Sequence, residues 1–139
     1  MAASFNKFES FVEALAEKVH DLGSDTITVA LCAAANAPTS TDDVLADLTE
    51  VAYTYCSTRV VTTTSSAQTS GTYKLVLQDL TLTASGGAIG PFRYVVLYND
   101  TAANDELIGW YDYGSDVTVS DGETFLIDFD GSAGVLTLA

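Results

Sequence analysis

Three groups of residues in this chain have the types and spacing to do chemistry: a glycine-rich turn, several close carboxylate pairs and one histidine. The turn is SGGAIGPF at 85–92. A phosphate cradle needs backbone N–H groups opening a helix, with Lys-Ser/Thr or a dinucleotide spacing behind it. Here Gly90 is followed by Pro91, which has no N–H, and then by FRYVVLYN, a run with strong β preference. Gly86, Gly87 and Gly90 therefore read as a corner, with Pro91 starting a strand.

The carboxylate pairs are Asp112 with Asp116, Asp121 with Glu123, and Asp128 with Asp130. Glycoside hydrolysis needs two carboxyls facing across a cleft, one with a raised pKa. Beside turns, such pairs serve turn formation and solvation instead. DFDGSAG at 128–134 hints at a calcium loop but lacks a third acidic ligand before the glycine and a distant Glu. His20 is the only histidine and is expected in the last turn of the first helix, where it complements the helix dipole. A triad would need a nucleophile and an orienting acid around it, and no G-x-S-x-G elbow occurs. Cys32 and Cys56 are too few for a structural zinc site, which takes four ligands. Cys32, inside ITVALCA, reads as a small buried hydrophobe, and the spacing leaves a disulfide open. No catalytic, cofactor or metal residue is assigned, and no enzymatic activity is expected.

Aromatic side chains are the other resource, because their rings suit interfaces. They include Tyr53, Tyr55, Tyr94, Tyr98, Trp110, Tyr111 and Tyr113. In LIGWYDYG, strand alternation places Trp110 on one face and Tyr111 with Tyr113 on the other, one face core and the other a contact surface. Arg93 is nearly alone as a cation among strand residues. Among 19 acids it is expected to pair with a carboxylate, within the chain or across a subunit boundary. The candidate interface residues are Phe5, Phe8, Phe11, Tyr53, Tyr55, Arg93, Tyr111 and Tyr113.

These residues must be held by elements. Phe5, Phe8, Val12, Leu15, Val19 and Leu22 recur at intervals of three and four, which predicts one amphipathic helix within 1–23. Ser4 is its expected N-cap and Gly23 its stop. TITVAL at 26–31 alternates, the mark of a strand with one buried face. A short helical turn is expected at 42–48, and strands at 59–64, 73–84, 91–99, 106–113 and 135–138. The apolar phase of 73–84 changes at Gln78-Asp79, predicting a bulge or a passage between sheets. TTTSSAQTSGT at 62–72 reads as an exposed loop or strand edge. Asp121-Gly122, between VTV and TFLIDF, is the strongest hairpin signal. Together these predict a mainly β protein: one domain over 1–139, an N-terminal amphipathic helix (1–23) and an antiparallel, jelly-roll-like β-sandwich (24–139).

Five basic against 19 acidic residues leave a formal charge of −14. Nucleic acid and anionic lipid are bound through Lys and Arg, so no nucleic-acid or membrane partner is expected. The start has no basic region followed by an apolar core, and no apolar run reaches membrane-spanning length, so folding in a cytoplasm is expected.

Three stretches, FNKFESFVEALAEKVHDLGSDTITVAL, GPFRYVVLYND and LIGWYDYGSDVTVSDGETFLIDFD, resemble small virion proteins of tailed bacteriophages, most closely capsid cement or decoration proteins. The resemblance covers most of the chain as a pattern and supplies no site residues. It implies a structural protein made in the host cytoplasm and carried on the outer capsid surface of the virion. Its implied partners are the major capsid protein and further copies of itself, as a dimer or trimer. A rival expectation is a tail or fibre component that binds a host receptor or glycan through aromatic loops. A third, a hydrolase or lectin-like domain using the carboxylate pairs, lacks an assembled site.

Overall fold

A computed structural model describes residues 3–139. The chain enters on a short strand, β1 (Phe5–Lys7), followed by a two-turn helix, α1 (Glu9–Ala16). Next come β2 (Ile27–Cys32), single 3-10 turns at Ala34–Asn36 and Leu45–Asp47, β3 (Val60–Val61), β4 (Thr63–Thr69) and β5 (Thr72–Leu77). β6 (Leu80–Thr83), β7 (Ile89–Asn99), β8 (Leu107–Val119), β9 (Thr124–Ile127) and β10 (Leu136–Leu138) complete it. Three antiparallel sheets result, ordered β1-β8-β7-β2-β3, β10-β5-β4 and β6-β9. The mainly β, antiparallel, sandwich-like class with one helix near the N-terminus is as the sequence predicts.

The main core brings the sheets together. Ile27, Val29, Leu31, Phe92, Val95 and Leu97 of the large sheet meet Leu75, Leu77, Leu82 and Ile127 of the smaller ones. The change of phase at Gln78-Asp79 is where the chain leaves one sheet for another: β5 pairs with β4 and β10, while β6 pairs with β9. Asp79 anchors the crossing by accepting a bond from the Phe129 amide at 2.8 Å.

Three expectations are corrected. First, the apolar stripe over 5–22 is not one helix. Phe5–Lys7 extends because it pairs with the edge of β8, Phe5 opposite Tyr111 and Lys7 opposite Gly109. The helix starts only after Phe8, whose backbone is extended, and stops where Lys18 turns to a φ of 72°. Ser4 thus precedes β1, and Gly23 lies in the turn before β2. Phe8, Phe11 and Leu22 are buried, but Val12 and Val19 are exposed. Second, β2 is buried along its whole length, not on one face. Its second face, with Ala30 and Cys32, joins Phe8, Val96, Tyr98 and Leu107 in a smaller core covered by Leu45, Leu48, Tyr94 and Trp110. Thr28 is tolerated there because its hydroxyl donates to Asp100 at 3.2 Å. Third, Asp121-Gly122 makes a tight turn but no hairpin. The Glu123 amide closes on Ser120 O, yet Val119 ends paired with Ile89 of β7 and β9 pairs with β6. Ala84 captures the turn, accepting from the Gly122 amide and donating to Glu123 O, and so steers the chain to the other sheet.

β1 can lie against β8 only because residue 109 is glycine. A Cβ there would stand 2.2 Å from the Phe5 ring and 2.7 Å from Asn6 O. The ring could rotate away, but the backbone oxygen could not without moving the strand. Gly109→Ala is therefore expected to destabilise the fold by about 1–3 kcal/mol, the usual range for forced overpacking. Urea unfolding measures it, and an unchanged midpoint would show that β1 does not dock as described.

Candidate functional site

The eight candidate interface residues do not form one surface. Phe8 and Phe11 are core: Phe8 packs on Trp110 with ring centroids 4.6 Å apart, and Phe11 lies in the main core beside His20. Neither can meet a partner, because the large sheet is covered on both faces. Phe5 is half-buried against Tyr111.

Tyr53 is an internal fastener. Its hydroxyl donates to Glu50 Oε1 at 2.7 Å and accepts from the Leu31 amide at 2.9 Å, while Arg59 stacks 3.7 Å above the ring. Arg59 also donates to Val29 O, so this cluster closes the open edge beyond β3. Burial and the Glu50 contact push the Tyr53 pKa well above that of a free phenol. Tyr55 lies over the glycine corner, since a Cβ on Gly87 would fall 2.4 Å from its ring. Gly86 and Gly87 thus seat an aromatic ring, whereas Gly90 packs against Val117 O and Phe92, and the Gly86 amide donates to Asp121 Oδ1.

A shared surface forms where β8 meets β9. Tyr113 and Leu126 are among the most exposed large apolar residues, at 44% and 52%. Phe125 lies between Tyr113 and the core, its ring 5.4 Å from Tyr113 on one side and 5.4 Å from Phe92 on the other. Tyr111 sits deeper, near Phe5 and Phe129, and burial together with nearby Asp130 pushes its pKa up to about 12. Beside this patch Arg93 makes a two-bond contact with Asp112, at 2.8 and 3.1 Å. The expected Arg93 pairing is therefore met inside the chain. Hydrogen bonding to Arg93 lowers the Asp112 pKa, assisted by the Gly114 amide. Four residues of β8, 113–116, bow outward opposite Arg93, because Asp112 pairs with Tyr94 while Val117 pairs with Phe92. That bow lifts Tyr113 off the sheet. Phe125 and Leu126 were not among the candidates, although Leu126 carries a signal: an apolar residue in the outward slot of alternating FLI.

The crevice beneath the patch, lined by Val95, Tyr111, Phe125, Ile127 and Phe129, holds about 20 Å³. That is room for about one water, while an open groove of about 760 Å³ lies beside it, lined by Asp112, Tyr113, Thr124, Phe125, Leu126 and Asp128. Three of the paired carboxylates have turn duties: Asp121 holds the Gly86 amide, Glu123 the Ser120 amide, and Asp130 the Ser132 and Ala133 amides. Asp130 of DFDGSAG is thus engaged with backbone donors, which lower its pKa. Among the described residues no three His, Cys, Asp or Glu side chains gather as metal ligands. Both cysteines are free thiols, and burial raises the Cys32 pKa to about 11.

His20 is not at a helix end, because α1 stops four residues earlier. It is 5% exposed, and Asn99 fixes it. The Asn99 amide nitrogen lies 3.0 Å from His20 Nδ1 and 2.7 Å from Asp25 Oδ2, and its oxygen accepts from the Thr101 and Ala102 amides. Desolvation lowers the His20 pKa, outweighing the attraction of Glu106 and Asp25. Burial thus favours the neutral form of the imidazole.

Compared with known protein families, curated protein sequences and solved structures, the chain matches none. Among the described residues, no helix is long and apolar enough to cross a membrane.

Proposed function

We propose that this protein is a structural component of a tailed-phage virion that decorates and cements the capsid by binding the major capsid protein and further copies of itself. The observation that carries this reading is the exposed Tyr113–Phe125–Leu126 patch on an antiparallel β body, where the three residues line one open groove. Tyrosine with an apolar neighbour beside a charged pair is the composition of an interface centre. The −14 charge keeps such a protein off packaged nucleic acid, and many copies with modest contacts hold a shell by multivalency.

Co-sedimentation with purified shells is the direct test. The double variant Tyr113→Ser, Leu126→Ser is expected to fold normally, since both side chains are exposed, and to bind at least tenfold more weakly, as loss of an interface anchor implies. Unaltered binding by the variant would remove the patch from the reading. Particle cryo-EM showing the protein at the tail tip would replace the capsid role with receptor or glycan recognition.

A further inference from the structure

The acids of this chain are unevenly placed. None occurs between Glu50 and Asp79, a stretch that holds Arg59 and Lys74, whereas the rest of the chain carries all 19 acids against Lys7, Lys18 and Arg93. The acid-free stretch builds β3, β4 and β5. Within it β4 is the outer strand of its sheet, paired with β5 alone. Ser65, Ala67, Gln68 and Thr69 are exposed.

Open edges are normally blunted by charge, proline, brevity or a bulge. Other edge strands are short: β1 and β10 have three residues each, β3 has two, and β6 and β9, the edges of the two-stranded sheet, have four. β4 has seven, TTSSAQT, with no charge and no proline, and its one irregularity lies at the base, between Thr63 and Ser65. The remainder is straight and β-prone. Ser70 and Gly71, with φ of 52° and 86°, make a two-residue turn in which both residues are left-handed. Such a turn bonds Thr69 to Thr72, so by antiparallel alternation the Ser66 and Gln68 backbones point away from β5.

We infer that β4 pairs edge to edge, antiparallel, with β4 of a second copy of this chain, joining two three-stranded sheets into one. Charge selects the occupant. Two copies at −14 repel over most of their surfaces, and this is the long edge that carries no acid of its own, Asp21 approaching it at Ser66. A basic foreign strand would gain more from the acidic faces elsewhere. The sequence is also self-complementary, because small hydroxyl residues meet one another in either antiparallel register, and Thr–Thr or Thr–Ser contacts are favourable cross-strand pairs. A twofold pairing of this kind closes on itself and does not polymerise. As a device, this self-contact rests on the assembly reading above; as a physical property it stands without it.

Sedimentation velocity on the full chain, with amide hydrogen exchange, is the test. The wild type should sediment near twice 14.6 kDa, and the Ser66 and Gln68 amides should exchange at least tenfold more slowly in the dimer. Gln68→Pro removes an outward N–H, and Ala67→Lys places like charges across the axis; each should give a folded monomer by circular dichroism. A monomeric wild type with unprotected amides, or a dimer that survives both variants, would overturn the inference. A β4 dimer that ignores purified shells would sink the capsid role alone, and a monomer that binds shells would sink the pairing alone.

Discussion

Phe8→Ala is expected to lower the free energy of unfolding by about 3–5 kcal/mol, the range for removing a buried phenyl ring. Phe8 is fully enclosed, its ring against Trp110 and its neighbours Ala30, Cys32, Val96, Tyr98 and Leu107, all in the smaller core. Little can collapse into the gap, because β2 and β7 behind it are tied by a six-pair ladder. Urea denaturation of the purified chain gives the number. The control is Val12→Ala, the next member of the same stripe, which is 51% exposed and should change stability by no more than about 0.5 kcal/mol. If the stripe were an assembly seam, Phe8→Ala would leave the isolated chain as stable as before. For the same reason, removal of residues 1–22 should unfold the domain, since it takes β1 from β8 and both Phe8 and Phe11 from their cores.

Asn99→Leu is the second large effect, at about 3 kcal/mol or more, because several buried or half-buried polar groups lose their partner together. Asn99 is itself fully buried, and its amide serves His20, Asp25, Thr101 and Ala102, tying the α1–β2 connection to the turn after β7. The same hub predicts a pH dependence. His20 has its folded pKa depressed below the ordinary 6.5 by burial, with Asp25 and Glu106 the acids that face it. Well above pH 6.5 the imidazole is neutral in both states and the stability is fully present. As pH falls below 6.5 the unfolded chain takes up the proton first, so stability declines until the folded pKa is reached. His20→Asn keeps an acceptor near Nδ1 and cannot titrate. It should flatten the stability profile as pH falls below 6.5, above the range in which the lowered carboxylates Asp112 and Asp130 titrate. An identical slope in variant and wild type would assign the acid sensitivity elsewhere.

Part of the candidate site could be read directly. Tyr111 and Tyr113 fall on the face opposite Trp110, as alternation in LIGWYDYG requires, and Arg93 has its carboxylate. Phe8 and Phe11 misled because they stand three apart, a helical spacing that a strand-to-helix junction also produces. At that junction they enter different cores on opposite sides of one sheet. Tyr53 misled because ring type says nothing about its hydroxyl, here spent on Glu50 and Leu31.

From its residues alone the chain settles what depends on near neighbours: a strongly acidic charge, a high strand content, the glycine bend at Gly86-Gly87 (though β7 begins at Ile89, so Gly90 and Pro91 fall within the strand), the tight turn at Asp121-Gly122 and the change of face at Gln78-Asp79. These follow from backbone preference and side-chain parity, which act over a few residues. Tertiary structure decided what depends on distant partners. It drew Phe5–Lys7 into a strand, covered the second face of β2, and sent β9 to β6 instead of β8. Hydrogen-bonding edges are filled by whichever strand the rest of the fold brings near, and no local pattern of polarity encodes that choice.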